Sequence, residues 1–283
     1  MKKIGLLHSI IRGDEKLLIQ AANKYGVEII LIDVVKQTFC PDFYQPGLKV
    51  VLERCVSAVQ GLYATKFFES LGLKMINSYA VASTCVDKFM TSLVLQQTRI
   101  PTLAFALVFN QEQAFEAVHK LGGFPVVIKP TVGSWGRLLA KANDKDALEA
   151  IIEHKDILGS PQQKAIYIQQ YVKKPERDIR AFVIGGKTVA AIYRNSPHWI
   201  TNTARGGKVE KCFVTNELKK LCQDTSEAIG GGILALDILE TKECLKVIEV
   251  NHTMEFKNSE QPTGVSISGE IINYCLEAGY AKS

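Results

Sequence analysis

The chain of 283 residues carries 34 Lys and Arg against 29 Asp and Glu, a net charge of +5, and 47% hydrophobic residues. This composition is globular and the length predicts about two domains or three small ones at roughly 100–200 residues each, which excludes disordered, collagen-like and coiled-coil readings. The charge is too weak and too scattered for nucleic acid, no apolar run approaches the ~18 residues of a membrane span, and the start at Met1-Lys2-Lys3 has no signal-peptide core behind it.

The first third alternates strand-like and helix-like segments. Lys3–Leu7 reads as a strand, Asp14–Tyr25 as a helix stopped by Gly26, and Val27–Val35 as a second strand. Gly47–Leu52 and Leu73–Ile76 repeat the strand pattern around the amphipathic stretch Val56–Leu71, which predicts an open parallel sheet, and Asn77-Ser78 offers a helix cap. From Ile100-Pro101 the pattern restarts with a strand over Leu103–Phe109 and a helix that Asn110 caps and Gly122-Gly123 stops. The apolar strand Phe124–Pro130 follows. Leu138–Lys141, a helix over Asp144–His154 and the strand Ala165–Val172 complete an α+β unit, with Gly159-Ser160-Pro161 as loop. The remainder is richer in β structure: a hairpin Ile179–Ile184/Thr188–Tyr193 about Gly185-Gly186, a helix Leu218–Ile229, and a hairpin Ile233–Leu239/Leu245–Val250.

The last hairpin carries the sharpest chemical signal. A turn centred near Glu243 sets Asp237 opposite Glu249, and strand alternation puts Asp237, Glu249 and Asn251 on one face with Ile248 and Val250 on the other. Two carboxylates and an amide oxygen can chelate Mg²⁺ at a nucleotide; a solvated hairpin face has the same spacing, and a one-residue register slip breaks the set. Lys129 closes an apolar strand before Pro130-Thr131-Val132-Gly133-Ser134-Trp135-Gly136-Arg137, a loop able to bring backbone N–H groups onto phosphate or simply to turn between two strands. Arg180, Arg194 and Arg205, with Asn202, either converge on an anion or lie solvated. Ala181–Thr188 nearly spells a P-loop, but a strand rather than a helix follows it. The histidines form no metal-binding pair, no serine elbow exists, and seven scattered cysteines without a C-x-x-C pair predict reduced thiols in a cytoplasmic protein.

In order along the chain, Asp87-Lys88, Ile128-Lys129-Pro130, Gln169-Gln170-Tyr171-Val172, Asp237 and Glu249-Val250-Asn251 resemble an ATP-grasp ligase. The segments Trp199–Gly207 and Glu249–Asn258 look specifically like the LysX family of lysine biosynthesis, which acts on an amino-group carrier protein. The resemblance implies an N-terminal α/β domain (1–86), a central lid domain (87–172) and a β-rich catalytic domain (173–283). It implies ATP held by Lys88, Lys129, the loop Gly133, Ser134, Trp135, Gly136 and Arg137, and a hinge of Gln169, Gln170, Tyr171 and Val172. A pair of Mg²⁺ ions would sit on Asp237, Glu249 and Asn251. Arg180, Tyr193, Arg194, Asn202, Thr203 and Arg205 are the implied substrate-binding residues, with Arg205, Asn202 and Lys129 closest to the chemistry.

The implied reaction joins 2-aminoadipate to the C-terminal glutamate of a small acidic carrier through an acyl phosphate. Ala190-Ala191 favours aminoadipate over glutamate, exposed lysines such as Lys173 and Lys174 would steer the carrier, and the protein would be a homo-oligomer without nucleic-acid or membrane partners. Glutamate ligation to the carrier or to another protein terminus, and a non-catalytic nucleotide sensor, are the alternatives.

Overall fold

A computed structural model describes residues 1–43, 47–133, 137–201 and 207–280. The opening segment forms β1 (Lys3–His8), α1 (Gly13–Lys24), β2 (Glu28–Asp33), β3 (Val50–Glu53), α2 (Ala58–Ser70) and β4 (Lys74–Ile76). These strands make a parallel sheet in the order β2-β1-β3-β4. The order reverses direction beside β1, so the loops after β1 and β3 frame a crevice at the carboxyl ends of the strands, where open α/β sheets bind ligands.

Two consecutive helices follow, α3 (Tyr79–Val86) and α4 (Lys88–Gln97). Ser78 caps α3, as its sequence position predicts, by accepting the Val81 N–H at 3.3 Å. Asp87 ends α3 in an extended conformation and caps α4, accepting the N–H groups of Phe89 and Met90. That single carboxylate sets Lys88 at the first position of a helix.

The central unit contains β5 (Phe105–Val108), α5 (Gln111–Lys120), β6 (Val126–Pro130), β7 (Ala140–Ala142), α6 (Lys145–Leu158) and β8 (Ile166–Gln170). Its antiparallel sheet runs β5-β8-β6-β7. One face, with Val126, Ile128, Ile166 and Ile168, packs on α5 and α6 in a core of its own; the opposite face carries Val127, Lys129, Tyr167 and Gln169 by strand alternation.

The last unit is β9 (Arg177–Ile184), β10 (Lys187–Asn195), β11 (Lys208–Lys211), α7 (Asn216–Ile229), β12 (Ile233–Glu240), β13 (Leu245–Asn251), α8 (Glu260–Thr263) and α9 (Ile267–Tyr280). Its antiparallel sheet runs β11-β10-β9-β12-β13. One face packs on α7 through Ile179, Ala181, Val183, Leu234 and Leu236. On the other face, Phe182, Ile184, Ile233 and Ala235 join Ile4, Leu6, Leu52, Ile76 and Ile271 in one continuous core. The parallel sheet and the five-stranded sheet therefore share their interior. The C-terminal α9 completes it, and its last residue, Tyr280, clasps the start of the chain: its hydroxyl accepts from the Lys3 N–H and donates to the Lys3 carbonyl.

Most predicted elements form, with ends shifted by a few residues. The strand expected over Leu103–Phe109 shortens to Phe105–Val108 because Pro101 and Thr102 instead cover the edge of β13, the Pro101 carbonyl accepting from Val247 N–H and the Thr102 hydroxyl donating to Val247 O. Strand β11 and helices α8 and α9 are elements the sequence pattern did not announce. No helix among the described residues is long and apolar enough to cross a membrane.

Asn77 joins the two larger units. Its amide donates to the carbonyls of Ile233 and His252, both at 2.8 Å, and accepts from Ile233 N–H at 2.6 Å. A Cβ on Gly232, whose φ is +93°, would lie 2.0 Å from the Asn77 oxygen, so only glycine admits this clasp. Replacing Asn77 by Ala strands buried backbone groups and is expected to cost about 3 kcal/mol, read as a lowered denaturant midpoint with an unchanged slope.

Candidate active site

On β9, Asp178 and Arg180 alternate onto the same face as Phe182, one step beyond where the shared core ends. Across the sheet Arg180 lies opposite Asp237 of β12, and Arg194 of β10 lies opposite Asp178. Arg180 Nε donates to Asp237 Oδ1 at 3.0 Å, and Arg194 Nη2 lies 3.1 Å from Asp237 Oδ2. Arg194 also grips Asp178 with two bonds of 2.7 and 2.9 Å. Lys174 Nζ donates to the Thr201 hydroxyl at 2.7 Å and sits 3.5 Å from Asp178, which also accepts from Thr201. The result is a ladder of alternating charge, Lys174, Asp178, Arg194, Asp237, Arg180. Burial alone would raise the Asp237 carboxyl, but Arg180 and Arg194 outweigh it and hold its pKa below the ordinary value. Burial would equally depress Arg194, and Asp237 and Asp178 hold it above its ordinary value.

Asp237 pairs with Glu249 across the β12/β13 hairpin, as the sequence predicts, but by a different route. The turn closes with Thr241 N–H on Cys244 O and pairs Glu240 with Leu245 and Ile238 with Val247. Continued regularly, that register would set Asp237 against Ile248; a β-bulge at Ile248 shifts the ladder by one residue and brings Glu249 into place. The expectation that Ile248 faces away with Val250 is corrected accordingly: Val250 is in the core, while Ile248 lines a cleft beside Glu249.

Two clefts meet here. The first, of about 790 Å³, has apolar walls of Leu103, Val127, Leu139, Leu239 and Ile248, with Gln170, Tyr171 and Val172 at the end of β8 and Lys129 and Lys174 inside. The second, about 1610 Å³, runs from Lys88, Gly133, Arg137 and Leu138 past Arg180, Asn251, Thr253 and Glu255 to Arg12, Cys55 and Ala58 in the crevice of the parallel sheet. Arg194, Asp237 and Glu249 line both.

Lys88 and Lys129 approach the shared wall from opposite sides. Lys88 Nζ donates to Gly133 O at 2.6 Å and stands 3.8 Å from Glu249. Lys129 is buried, donates to Gln169 Oε1 at 2.7 Å, and has its pKa lowered to about 8, chiefly by burial and also by Lys88 and Lys174, against the opposing pull of Glu249 and Asp237.

Other predicted residues fall elsewhere. Tyr193 lines neither cleft: its ring lies 4.0 Å from the Arg177 guanidinium. Ala190 and Ala191 are buried core residues that touch neither cleft. Lys174 points inward to Thr201 and Asp178, so of the two lysines expected to steer a partner only Lys173 is exposed. Asn202, Thr203, Arg205, Ser134, Trp135 and Gly136 lie outside the described residues. Asp178, Thr201, Arg12 and Ile248 are site residues the sequence reading missed; Asp178 was findable, standing two residues before Arg180 on one strand and hence on its face.

The donors suit a hard divalent cation. Among the described residues no three His, Cys, Asp or Glu side chains gather as ligands, so a cation here would rest on Asp237, Glu249 and the Asn251 amide, completed by water and substrate oxygens, as Mg²⁺ usually is. Each Asp237 oxygen keeps a lone pair beyond its arginine, and the buried Asn251 Nδ2 has no hydrogen-bond partner among the described residues, which fits an anionic ligand beside the cation.

Comparison with known proteins places the chain in a family. Residues 85–275 match the RimK-like ATP-grasp domain and residues 4–84 the LysX preATP-grasp domain. The chain is 35% identical over 281 residues to the alpha-aminoadipate–LysW ligase LysX of Sulfurisphaera tokodaii, covering 95% of this chain and 96% of that one. It is 31% identical to the glutamate–LysW ligase ArgX of Sulfolobus acidocaldarius, covering 96% and 97%. Among solved structures, the RimK domain ATP-grasp protein of Sphaerobacter thermophilus superposes with a TM-score of 0.79 at 24% identity, covering 97% and 99%, and the D-alanine–D-alanine ligase of Bacillus anthracis complexed with ATP with 0.73 at 19%, covering 99% and 97%. With both its segments matched and a relative aligned over 95% of its length, the chain belongs to the RimK-like ATP-grasp family and is an ATP-dependent ligase.

Proposed function

We propose that this protein joins the α-amino group of 2-aminoadipate to the side-chain carboxylate of the C-terminal glutamate of a small acidic amino-group carrier protein, through an acyl phosphate. The observation that carries the reading is the shared wall: Arg194, Asp237 and Glu249 border both an apolar cleft suited to a nucleotide base and a larger polar cleft with room for two organic substrates. A phosphoryl group lying against that wall has the nucleotide on one side and its acceptor on the other.

In this reading ATP enters the first cleft, with its base between Val127, Leu139 and Ile248 and its phosphates between Lys88 and Lys129. The carrier carboxylate attacks the γ-phosphorus, ADP leaves, and the substrate amine then displaces phosphate from the acyl carbon, losing a proton as the isopeptide bond forms. Two anions must meet for the first step, so the barrier is electrostatic. Lys88, Lys129 and Arg180 offset that charge, Arg194 keeps the Asp237 carboxylate oriented, and Asn202 and Arg205 are assigned to the acyl-phosphate region. Mg²⁺ held by Asp237, Glu249 and Asn251 would supply further charge neutralisation on the phosphates. Val132, Gly133, Arg137 and Leu138 line the second cleft, where excluding water protects an acyl phosphate from hydrolysis.

Glutamate in place of 2-aminoadipate is the second reading. It is favoured by the relative whose name specifies glutamate and by the position of Ala190 and Ala191 away from both clefts. One methylene is worth only ~1–3 kcal/mol of discrimination.

ATP, Mg²⁺ and an acidic carrier ending in glutamate, supplied with each amino acid in turn, test the reading by ADP release and intact carrier mass. A gain with 2-aminoadipate alone is expected; a gain with glutamate alone replaces the first reading with the second, and no gain with either removes the carrier assignment. Glu249→Gln removes one charge from the cation site while leaving the strand intact, and turnover should fall ~100-fold or more with an unchanged melting curve; near-normal turnover takes Glu249 out of that site. Lys129 is charged below about 8 and neutral above it in the free protein, so ADP affinity should fall as pH rises through that value, and calorimetry on Lys129→Arg should show a flatter profile.

A further inference from the structure

Lys129 is the end of a buried chain of hydrogen bonds. Its ammonium, which has no lone pair, must donate to Gln169 Oε1 at 2.7 Å. That contact turns the Gln169 amide so that Nε2 donates to the Tyr167 hydroxyl at 3.0 Å. The Tyr167 hydroxyl in turn shares a hydrogen bond of 2.8 Å with Ser92 Oγ, in which either oxygen can donate. All four side chains are at least nine-tenths buried: Lys129 is 6% exposed, Gln169 2%, Tyr167 1% and Ser92 3%. The register makes the chain possible, because Lys129 and Tyr167 are directly opposed across β6 and β8 and Gln169 is the next residue of β8 on that face. The Tyr167 ring is fixed in turn by stacking on Phe105, with centroids 5.9 Å apart. Ser92 lies one turn beyond Lys88 on α4, so the chain ties the lysine of the central sheet to the helix that presents the other one.

We propose that Tyr167 and Gln169 are positioning residues that hold the Lys129 ammonium toward the polyphosphate of the nucleotide, with Ser92 as the fixed end of the relay. The inference rests on the reading of the first cleft as the nucleotide site. It gives the Gln169 side chain a task distinct from that of the residues after it: the amide orients a cation, and Gln170, Tyr171 and Val172 line the cleft where the base would lie. A lysine on a four-carbon stem costs rotamer entropy to fix, and a directional acceptor at 2.7 Å removes that freedom before the nucleotide arrives.

The test separates phosphate recognition from base recognition. Tyr167→Phe keeps the ring and its stacking but removes the acceptor that orients Gln169. Calorimetry should show ADP and ATP binding weakened about three- to tenfold, the range expected for one buried hydrogen bond, with adenosine affinity unchanged within about twofold. Ser92→Ala should act in the same direction and more weakly. In a Lys129→Met background, adding Tyr167→Phe should leave the ratio of ADP to adenosine affinity where it was, because the relay no longer has a cation to hold. Equal losses for adenosine and ADP in Tyr167→Phe, or an additive loss in the double variant, would overturn the relay while leaving Lys129 as a phosphate ligand. An unaltered ADP affinity in Lys129→Met itself would overturn both the relay and the nucleotide reading of the cleft.

Discussion

The Asp237 carboxylate is the constraint on which the site turns. A buried carboxylate is stable only if its charge is matched nearby, and Arg180 and Arg194 match it from two neighbouring strands. Arg194 is itself too deeply buried to stand alone, hence Asp178, and Asp178 draws in Lys174 and Thr201. Each member needs the next, so the charged half of the five-stranded sheet is rigid before any substrate is present. Such an array contributes little net stability compared with an apolar core of the same volume. Its value is positional: it fixes a carboxylate at the junction of two clefts, at a depth where solvent screens little of its field.

Much of this was legible in the residues because strand alternation and turn chemistry are local. Gly185-Gly186, both at positive φ, turn β9 into β10 as their identity requires, and Asn110 and Ser78 cap the helices they were expected to cap. The pairing of Asp237 with Glu249 was legible too, although the bulge that produces it was not: nothing in Lys246-Val247-Ile248 distinguishes a regular strand from a bulged one. Lys174 shows the opposite failure. Beside Lys173 in a polar stretch it reads as solvent-exposed, and it is drawn inside by Asp178, four residues on, and by Thr201, 27 residues away in sequence. The C-terminal helix α9 was missed because its burial against the first sheet is a long-range fact.

Within the family, the chain's relatives divide between aminoadipate and glutamate in their names. The second cleft offers a physical place for that difference. Its far wall is built from Arg12, Cys55 and Ala58, contributed by the crevice of the parallel sheet, and is separate from the wall of Arg194, Asp237 and Glu249. Arg12 is shared between Glu15 and Glu255 at 3.0 and 3.2 Å, so the polarity of this end is adjustable without touching Asp237. If the proposed reading holds, that separation would let the amine substrate change while the phosphoryl chemistry stays fixed.

The division of the interior has a consequence for how the molecule opens. The parallel sheet and the five-stranded sheet are cemented by one core, by Asn77 and by the Tyr280 clasp, whereas the sheet carrying Lys129 packs its main core on α5 and α6 and meets α4 through Phe105 on Phe89 and Tyr167 on Ser92. In thermodynamic terms the protein is two cooperative units rather than three. Fewer contacts therefore join the central sheet to the rest, and opening it locally costs less than unfolding the whole chain. Such opening would carry Lys129 away from Asp237 and Glu249 together with its strand.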